Sequence, residues 1–343
     1  FLKCIPMASI EAMRLGNVAL GVESSNYVMI MDTLMDSSSL FLTGNTDTVY
    51  ASGVLDLKKD GPTVVEIPAG SGPGTVNDAF FRFVTDMGGV GPDRGKGGTY
   101  LILPPDYTGG LKYKEGSESV EMEIGGDKKT VFVSKSASYT NWLILRGFLV
   151  DGKPDAASKM FRDGLKIYPL AQAKNPPKMR FINGSGKFFN TIHANDYHFY
   201  QEIDDVIQRE HIDFINPEIR GLLSSIGIQK GKAFAPDTRM KRILTDAMAI
   251  GNATARAISF PTRMKDAYLY EGRYWKKAFI GGDYRWLIDG GNGGIKLDAR
   301  TYFFYLATVN TPAMALKMIG KGSQYTLGDR DKDGNFLFGE KTY

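Results

Sequence analysis

Cysteine is almost missing from this sequence, since Cys4 is the only one among 343 residues. One cysteine cannot form an internal disulfide, and the chain is long enough not to need one. Histidine is nearly as rare, with His193, His198 and His211 as the only three. Four such residues make a poor ligand set for zinc. The sequence therefore predicts neither a disulfide framework nor a zinc site.

Long runs of one kind of side chain are also missing. No run of five or more Lys and Arg occurs, and the net charge is only +4, from 42 basic and 38 acidic residues. We therefore expect no nucleic-acid partner and no attraction to an anionic membrane surface. No apolar run approaches the roughly 20 residues that a membrane helix requires, so we expect no membrane span.

The remaining composition is that of a folded protein. Apolar residues account for 43% and charged residues for 23% of the chain, which is the balance of a globular protein long enough for two domains. The chain opens at Phe1 without a methionine. We interpret it as a trimmed or mature fragment.

Short apolar runs separated by Gly, Pro and Asp follow one another from residue 45 onwards. Residues 49–55 and 63–67, with Asp60 and Gly61 between them, predict a β-hairpin. Further strand-like runs lie at residues 80–84, 100–103, 121–124, 130–133 and 142–145. Such a series is typical of a β-sandwich or a barrel.

The middle of the chain has helical spacing instead. Asn195 or Asp196, then Asn216, then Asp237 each precede an apolar pattern with three- and four-residue spacing. Such residues are favoured at helix N-caps, so residues 186–258 are predicted to form a helical insert.

These patterns predict a mainly β chain of the α+β class, with a helical insert.

Several of these segments resemble a pair of families. Residues 45–50 (NTDTVY) and 100–105 (YLILPP) resemble domain-of-unknown-function family 1254. Residues 320–325 (GKGSQY) and 331–335 (DKDGN) resemble its usual partner, family 1214. The resemblance implies two β-sandwich, jelly-roll-like domains with a helical insert between them. The expected parts are then a helical lead-in (1–44), a first β-sandwich (45–150), a helical linker (151–260), and a second β-sandwich that is truncated at its end (261–343). The resemblance also implies bacterial proteins that are often exported, and thus a periplasmic or extracellular location. It implies no assigned activity.

One stretch matches a calcium-loop spacing. Asp329, Asp331, Asp333, Gly334 and Glu340 fit D-x-D-x-D-G-x₅-E in full,. The flanking residues have strand-like rather than helical character, and Asp-Gly is an ordinary hairpin turn. We therefore interpret the stretch as a hairpin and predict no cofactor, with Ca²⁺ as the alternative.

Two groups of polar residues are candidate sites. Asn45, Asp47 and Tyr50 could bind a ligand, with Asp47 acting as a base or bonding a sugar hydroxyl and Tyr50 stacking beside it; otherwise they hold a turn. His193 and Asp196 could supply acid–base catalysis. Alternatively, they cap and pack against the helix that follows.

Two functions remain open. The preferred one is a ligand-binding or glycan-binding protein, or one that self-assembles into an extracellular homo-oligomer or fibre. Aromatic residues make up 12% of the chain, and such amphipathic side chains are suited to contact surfaces. The alternative is a hydrolase, with Asp47, Asp86, His193 and Asp196 as its acid–base groups.

Overall fold

The computed structural model describes residues 1–113, 119–315 and 325–340. The expected α+β mixture is confirmed, but the predicted predominance of β structure is wrong, because the helices contribute at least as many residues as the strands. The helices are α1 (Ile5–Ala19), α2 (Leu57–Asp60), α3 (Asp155–Gly164), α4 (His198–Arg209), α5 (Pro217–Ser225), α6 (Thr238–Ser259), α7 (Leu297–Leu306) and α8 (Pro312–Ala315). The strands are β1 (Tyr27–Ile30), β2 (Ser39–Leu40), β3 (Thr48–Asp56), β4 (Thr63–Ile67), β5 (Ser71–Asp78), β6 (Phe83–Met87), β7 (Gly98–Leu103), β8 (Ser119–Ile124), β9 (Asp127–Lys135), β10 (Thr140–Phe148), β11 (Lys166–Pro169), β12 (Arg180–Asn183), β13 (Phe189–Asn190), β14 (Lys276–Lys277) and β15 (Thr326–Leu327).

Two larger sheets share one buried core. The six-stranded sheet has the order β12-β1-β3-β10-β5-β6, and the five-stranded sheet has the order β11-β4-β7-β9-β8. Leu143 and Leu145 of β10 lie in the same buried cluster as Tyr100 and Ile102 of β7. Because side chains alternate along a strand, the intervening residues of β10 face the other way.

The other face of the six-stranded sheet packs against helices. Trp142 and Ile144 of β10 and Tyr50 of β3 lie in a second cluster, which also contains the buried faces of α1, α4, α5, α6 and α7. The helices therefore cover the sheet face on which the candidate site lies. No helix among the described residues is long and apolar enough to cross a membrane.

Local capping signals correctly predicted two helix starts. The side chain of Asn216 accepts a hydrogen bond from the Ile219 N–H at 2.9 Å, and that of Asp237 accepts one from Met240 at 2.6 Å. These bonds satisfy backbone donors that the first turn leaves unpaired.

The start of α4 differs slightly from the prediction. Its N-cap is Tyr197, one residue after Asp196, and Tyr197 makes no side-chain capping bond. Asp196 still accepts a hydrogen bond from the His198 N–H at 2.9 Å, so its carboxylate stabilises the first turn from just outside the helix.

The predicted hairpin between residues 49–55 and 63–67 is wrong. β3 lies in the six-stranded sheet and pairs with β10 along its whole length, whereas β4 pairs with β7 and β11 in the other sheet. The Asp56 carboxylate accepts hydrogen bonds from the N–H groups of Lys58 and Lys59, both at 3.1 Å. This bonding forms the short helix α2, which carries the chain from one sheet to the other.

The described residues near the end of the chain form short elements. β14 pairs with β15, and Arg330 bridges to Phe336 across a turn. Gly334 has a φ of 86° in that turn, which only glycine adopts without strain. The hairpin turn is therefore confirmed. The second β-sandwich and the four-part division stay predictions.

Candidate functional site

The register of the six-stranded sheet brings polar residues together on its helix-covered face. Tyr50 of β3 lies directly opposite Arg146 of β10, and Thr75 of β5 lies opposite Asp86 of β6. Thr75 also lies opposite Ile144. Because Ile144 and Arg146 are two residues apart on one strand, all five side chains share a face.

A pocket lies beside this row, and we call it the Tyr50 pocket. It is a small cavity with a volume of about 20 Å³. The lining residues that matter here are Phe41, Tyr50, Thr75, Arg146, Thr311 and Tyr325. The rings of Phe41 and Tyr50 are 5.7 Å apart between centroids, so aromatic surface and polar groups meet in one cavity.

The Asp86 carboxyl group lies beside two threonines of the pocket wall. The Thr311 hydroxyl donates a hydrogen bond to Asp86 Oδ1 at 2.6 Å. Burial raises the pKa of Asp86 to about 6, against the opposing effects of Thr311, Thr75 and the Arg146 charge,. Asp86 can therefore exchange a proton close to neutral pH.

Tyr50 and Arg146 supply the other polar groups. The Tyr50 hydroxyl accepts a hydrogen bond from the Asn45 N–H at 3.1 Å, and burial raises its pKa to about 12. The phenol is thus neutral at physiological pH. Arg146 Nε lies 3.4 Å from the Pro73 carbonyl oxygen, which orients the guanidinium at the pocket wall.

Two residues of the pocket wall have a strained backbone. Thr43 has a φ of 58° and Val309 a φ of 68°. A left-handed conformation is unusual for residues that branch at Cβ, and such strain is concentrated at binding and catalytic sites. The Thr43 hydroxyl oxygen accepts a hydrogen bond from the Thr308 N–H at 3.4 Å, which links the two strained segments.

The first predicted group of site residues is only partly in this pocket. Asn45 Oδ1 accepts hydrogen bonds from the N–H groups of Asp47 at 3.0 Å and Thr48 at 3.1 Å. Asn45 thus holds the turn before β3, and Asp47 is exposed. Tyr50 is the member of this group whose ring reaches the pocket.

His193 and Asp196 have different surroundings. His193 is 4% exposed, with Nδ1 3.0 Å from the Ala194 carbonyl oxygen and its ring edge-on to Phe199. Burial lowers the pKa of His193. Asp196 is exposed and contacts His198 Nδ1 at 2.9 Å. The structure therefore places the histidine in the helical core and the carboxylate at the surface.

Two important residues of the pocket were missed from the sequence. The predicted strand ended at residue 145, although Arg146 continues it and is the one charged residue in an apolar strand. A single charged residue in an apolar strand is a signal of a polar site, and it was available in the sequence. Thr311 had no comparable signal, because it is 225 residues from Asp86 and only the fold brings them together.

The calcium-like stretch has its carboxylates engaged in other bonds. Asp329 Oδ2 lies 2.6 Å from the Nζ of buried Lys276. Asp331 Oδ1 accepts hydrogen bonds from the N–H groups of Asp333 and Asn335, both at 2.9 Å. Within the described ranges, no group of three His, Cys, Asp or Glu side chains is arranged to hold a metal. Calcium binding stays untested.

The fold and the pocket together define a mixed α+β protein with a small pocket of aromatic and polar residues on a helix-covered sheet. Residues 25–169 match the model of a family described as "Protein of unknown function (DUF1254)". This match spans β1 to β11 and supports the family 1254 part of the resemblance. The family 1214 part stays a prediction.

The fold is also similar to a solved structure. The crystal structure of the VPA0106 protein from Vibrio parahaemolyticus aligns with a TM-score of 0.54 and 15% sequence identity. The alignment covers 91% of this chain and 67% of that one. At this identity the likeness concerns the fold alone. No curated protein gives a significant match.

Proposed function

We propose that this chain is a ligand-binding protein whose Tyr50 pocket contacts a hydroxyl group of a small ligand, such as the terminal sugar of a glycan. The observation that carries the proposal is the cross-strand pair of Tyr50 and Arg146, with Asp86 opposite Thr75 on the same face of the sheet. Ligand sites typically combine apolar and aromatic walls with a few polar groups that fix the ligand's orientation.

The chemistry of the lining residues supports a sugar. Phe41 and Tyr325 offer aromatic surface for the C–H face of a sugar ring,. Arg146 donates hydrogen bonds, and the hydroxyl groups of Thr75 and Thr311, which lie against Asp86, can donate or accept them, so neighbouring hydroxyl groups would find both kinds of partner. Charged partners strengthen such hydrogen bonds relative to neutral ones.

Hydrolysis is the second candidate, because burial raises the pKa of Asp86 to about 6. A carboxylic acid with such a pKa can serve as a general acid or base at physiological pH. However, Asp47 and Asp196 are exposed and His193 is buried in the helical cluster. Asp86 would then act with Tyr50 and Arg146 rather than with a second carboxylate, and for this reason we favour binding.

The test is a glycan array followed by isothermal titration calorimetry on the full chain. We expect Arg146→Met to weaken binding of any glycan found by about tenfold or more, because it removes a charged hydrogen-bond donor. Asp86→Asn should also weaken binding, because the Asp86 carboxylate accepts the hydrogen bond that orients the Thr311 hydroxyl of the pocket wall. The exposed Asp47→Asn serves as the matched control for Asp86→Asn and should bind as the wild type does.

The same proteins separate binding from hydrolysis. Incubation with 4-nitrophenyl glycosides and esters between pH 5 and 8 would release nitrophenol if the chain were a hydrolase, and Asp86→Asn would abolish the release. Binding without turnover supports the proposed function. An array with no binder, or binding that Asp86→Asn leaves unchanged, would contradict it.

We further propose that the two sheets form a β-sandwich and that the protein is exported, as the family resemblance implies. We also propose that the protein self-associates. Ile243 and Ile250 on α6 are 40% and 68% exposed. They lie seven residues apart and therefore on one helix face, where a second copy could cover them. Mass photometry should find dimers or larger species that Ile250→Asp dissociates; a wild type that stays monomeric at high concentration would rule this out.

A further inference from the structure

A second cavity, which we call the aromatic cavity, lies between the β5–β6 turn, α5 and α7. Its volume is about 390 Å³. The lining residues that define it here are Phe81, Tyr284, Trp286, Arg300, Phe304 and Asn310. None of these six residues lines the Tyr50 pocket.

Three side chains of the aromatic cavity have buried polar atoms that lack a hydrogen-bond partner. The atoms are Arg300 Nε, Trp286 Nε1 and Asn310 Oδ1. Trp286 is 3% and Asn310 2% exposed. Buried polar atoms are nearly always paired in folded proteins, because water no longer satisfies them. The three residues that carry these atoms all line the aromatic cavity. We therefore expect the cavity to hold a ligand that pairs with them.

The orientation of Asn310 is determined by its other bonds. Its Nδ2 donates to the Phe81 carbonyl oxygen at 2.8 Å, and its backbone N–H donates to Asn77 Oδ1 at 3.0 Å. Since Nδ2 and the backbone N–H each donate to a protein atom, the orientation of the side-chain amide is determined, and its oxygen is left as an acceptor for a ligand. It calls for a hydroxyl or an N–H group.

The charged side chains among the lining residues are all arginines. Two of them have acidic partners, since Arg82 pairs with Asp78 and Arg285 pairs with Asp283. Arg300 is the exception, and its surroundings decide the charge of the ligand.

The contacts of the Arg300 guanidinium within the described residues carry no negative charge. Its Nη2 lies 3.4 Å from the Lys3 carbonyl oxygen, and its guanidinium carbon lies 5.5 Å from the centre of the Phe80 ring. Burial lowers the pKa of Arg300. An arginine remains protonated even so, and a partly buried cation of this kind is stabilised by an anion.

The walls of the cavity are aromatic and strained. Trp286 and Phe304 lie 5.1 Å apart between ring centroids, as do Phe81 and Phe304. Phe81 has a φ of 55° and Trp286 a φ of 53°. Left-handed backbone is rare for such bulky residues and is found at ligand sites, where the surrounding structure maintains it.

We propose that the aromatic cavity binds a small aromatic carboxylate that also carries a hydroxyl or N–H donor. The carboxylate accepts hydrogen bonds from Arg300 and Trp286, the ring packs against Phe304, and the donor reaches Asn310 Oδ1. This binding site is separate from the Tyr50 pocket and does not depend on the proposed function.

The probes are 4-hydroxyphenylacetate, which has both functional groups, and 4-hydroxyphenylacetamide, which lacks the charge. Isothermal titration calorimetry on the full chain should show the carboxylate binding at least tenfold more tightly than the amide, because a charge-assisted hydrogen bond to arginine is lost in the amide. Phenylacetate, without the hydroxyl, should bind a few-fold more weakly than 4-hydroxyphenylacetate.

Variants locate the binding. Arg300→Gln should weaken binding of 4-hydroxyphenylacetate by at least tenfold, whereas Arg256→Gln, the same change on the exposed surface of α6, should leave it unchanged. Circular dichroism and the melting temperature establish that each variant is folded. Trp286→Phe keeps an aromatic ring but removes the N–H donor, and it should weaken binding of 4-hydroxyphenylacetate about threefold. This variant tests the location of the site if Arg300→Gln does not fold.

Three results would overturn the proposal. They are no binding of either carboxylate at 10 mM, equal affinity for 4-hydroxyphenylacetate and its amide, or wild-type affinity in a folded Arg300→Gln together with Trp286→Phe.

Discussion

The Thr311 hydroxyl donates a hydrogen bond to Asp86 Oδ1 across 2.6 Å. It thereby ties the start of α8 to β6, near the edge of the six-stranded sheet. Asp86 is partly buried, and burial raises its pKa from 3.8 to about 6. The folded chain therefore holds a proton on Asp86 at pH values where the unfolded chain has released it.

This pKa makes stability depend on pH. Between about pH 4 and pH 6 the folded state binds more protons than the unfolded state, so the free energy of unfolding falls as the pH rises. The contribution is on the order of 3 kcal/mol. Asp86→Asn should remove it and be the more stable protein at pH 7, as measured by urea unfolding at pH 4, 5, 6 and 7.

The control for this experiment is Asp47→Asn, which changes an exposed carboxylate in the same way and should keep the wild-type slope. Glu202, whose pKa burial raises to about 8, adds a slope of the same sign up to that pH. The prediction therefore concerns the difference between variants. A slope that is identical in Asp86→Asn and the wild type would contradict it.

The histidines offer a matched pair. His193 packs edge-on against Phe1 and Phe199 in the helical cluster, so His193→Ala should lower the free energy of unfolding by about 2–4 kcal/mol through the cavity it leaves. His198 is exposed, and His198→Ala should change that free energy by less than about 0.5 kcal/mol. Thermal and urea unfolding provide the measurement.

If His193 has a structural role, the free energy of unfolding should also depend on pH. Burial lowers its pKa, so its contribution to stability is complete above the unfolded value of about 6.5 and is lost as the pH falls below it. His193→Phe should remove this acid-side loss and leave glycan binding intact. Loss of binding with unchanged stability would instead return His193 to the list of site residues.

Calcium binding at residues 329–340 can be tested directly. Because Asp329 is paired with Lys276 Nζ and Asp331 bonds its own turn, we expect a chelator to leave the melting temperature unchanged. Added Ca²⁺ should likewise have no effect beyond that of Mg²⁺. A rise in melting temperature specific to Ca²⁺ would favour the calcium-loop alternative.

Glu210 is a further residue whose removal should be costly. It is fully buried, and its carboxylate accepts hydrogen bonds from the N–H groups of Tyr139 at 2.5 Å and Thr140 at 3.0 Å. Glu210→Ala should lower the free energy of unfolding by about 2–4 kcal/mol, because two buried donors lose their partner. Glu218→Ala, at the exposed start of α5, is the control and should lower it by less than 1 kcal/mol. Equal effects of the two changes would contradict this.

The helices and their starts were the part of the fold most accessible from the sequence. Asn216 and Asp237 cap helices through bonds to residues three positions away. A signal that acts within one turn is present in any short stretch of sequence. The strand at residues 63–67 was likewise recognised from its composition.

The pairing of those strands was not accessible in the same way. An Asp-Gly turn between two apolar runs usually makes a hairpin. Here Asp56 instead bonds Lys58 and Lys59, and β3 pairs with β10, about 90 residues later in the chain. Strand composition says that a segment is extended, but not which other strand it pairs with.

The sequence by itself determined that the chain combines α and β structure, with a helical middle, capped helices and a tyrosine at the start of a strand, although it overestimated the share of β structure. Only the tertiary structure decided the site. Tyr50 meets Arg146 because β3 and β10 are in register, and Asp86 meets Thr311 because α8 returns to the sheet. The capping bonds are local and leave a pattern in sequence, whereas these contacts join residues about 100 or more positions apart and depend on how the whole chain folds.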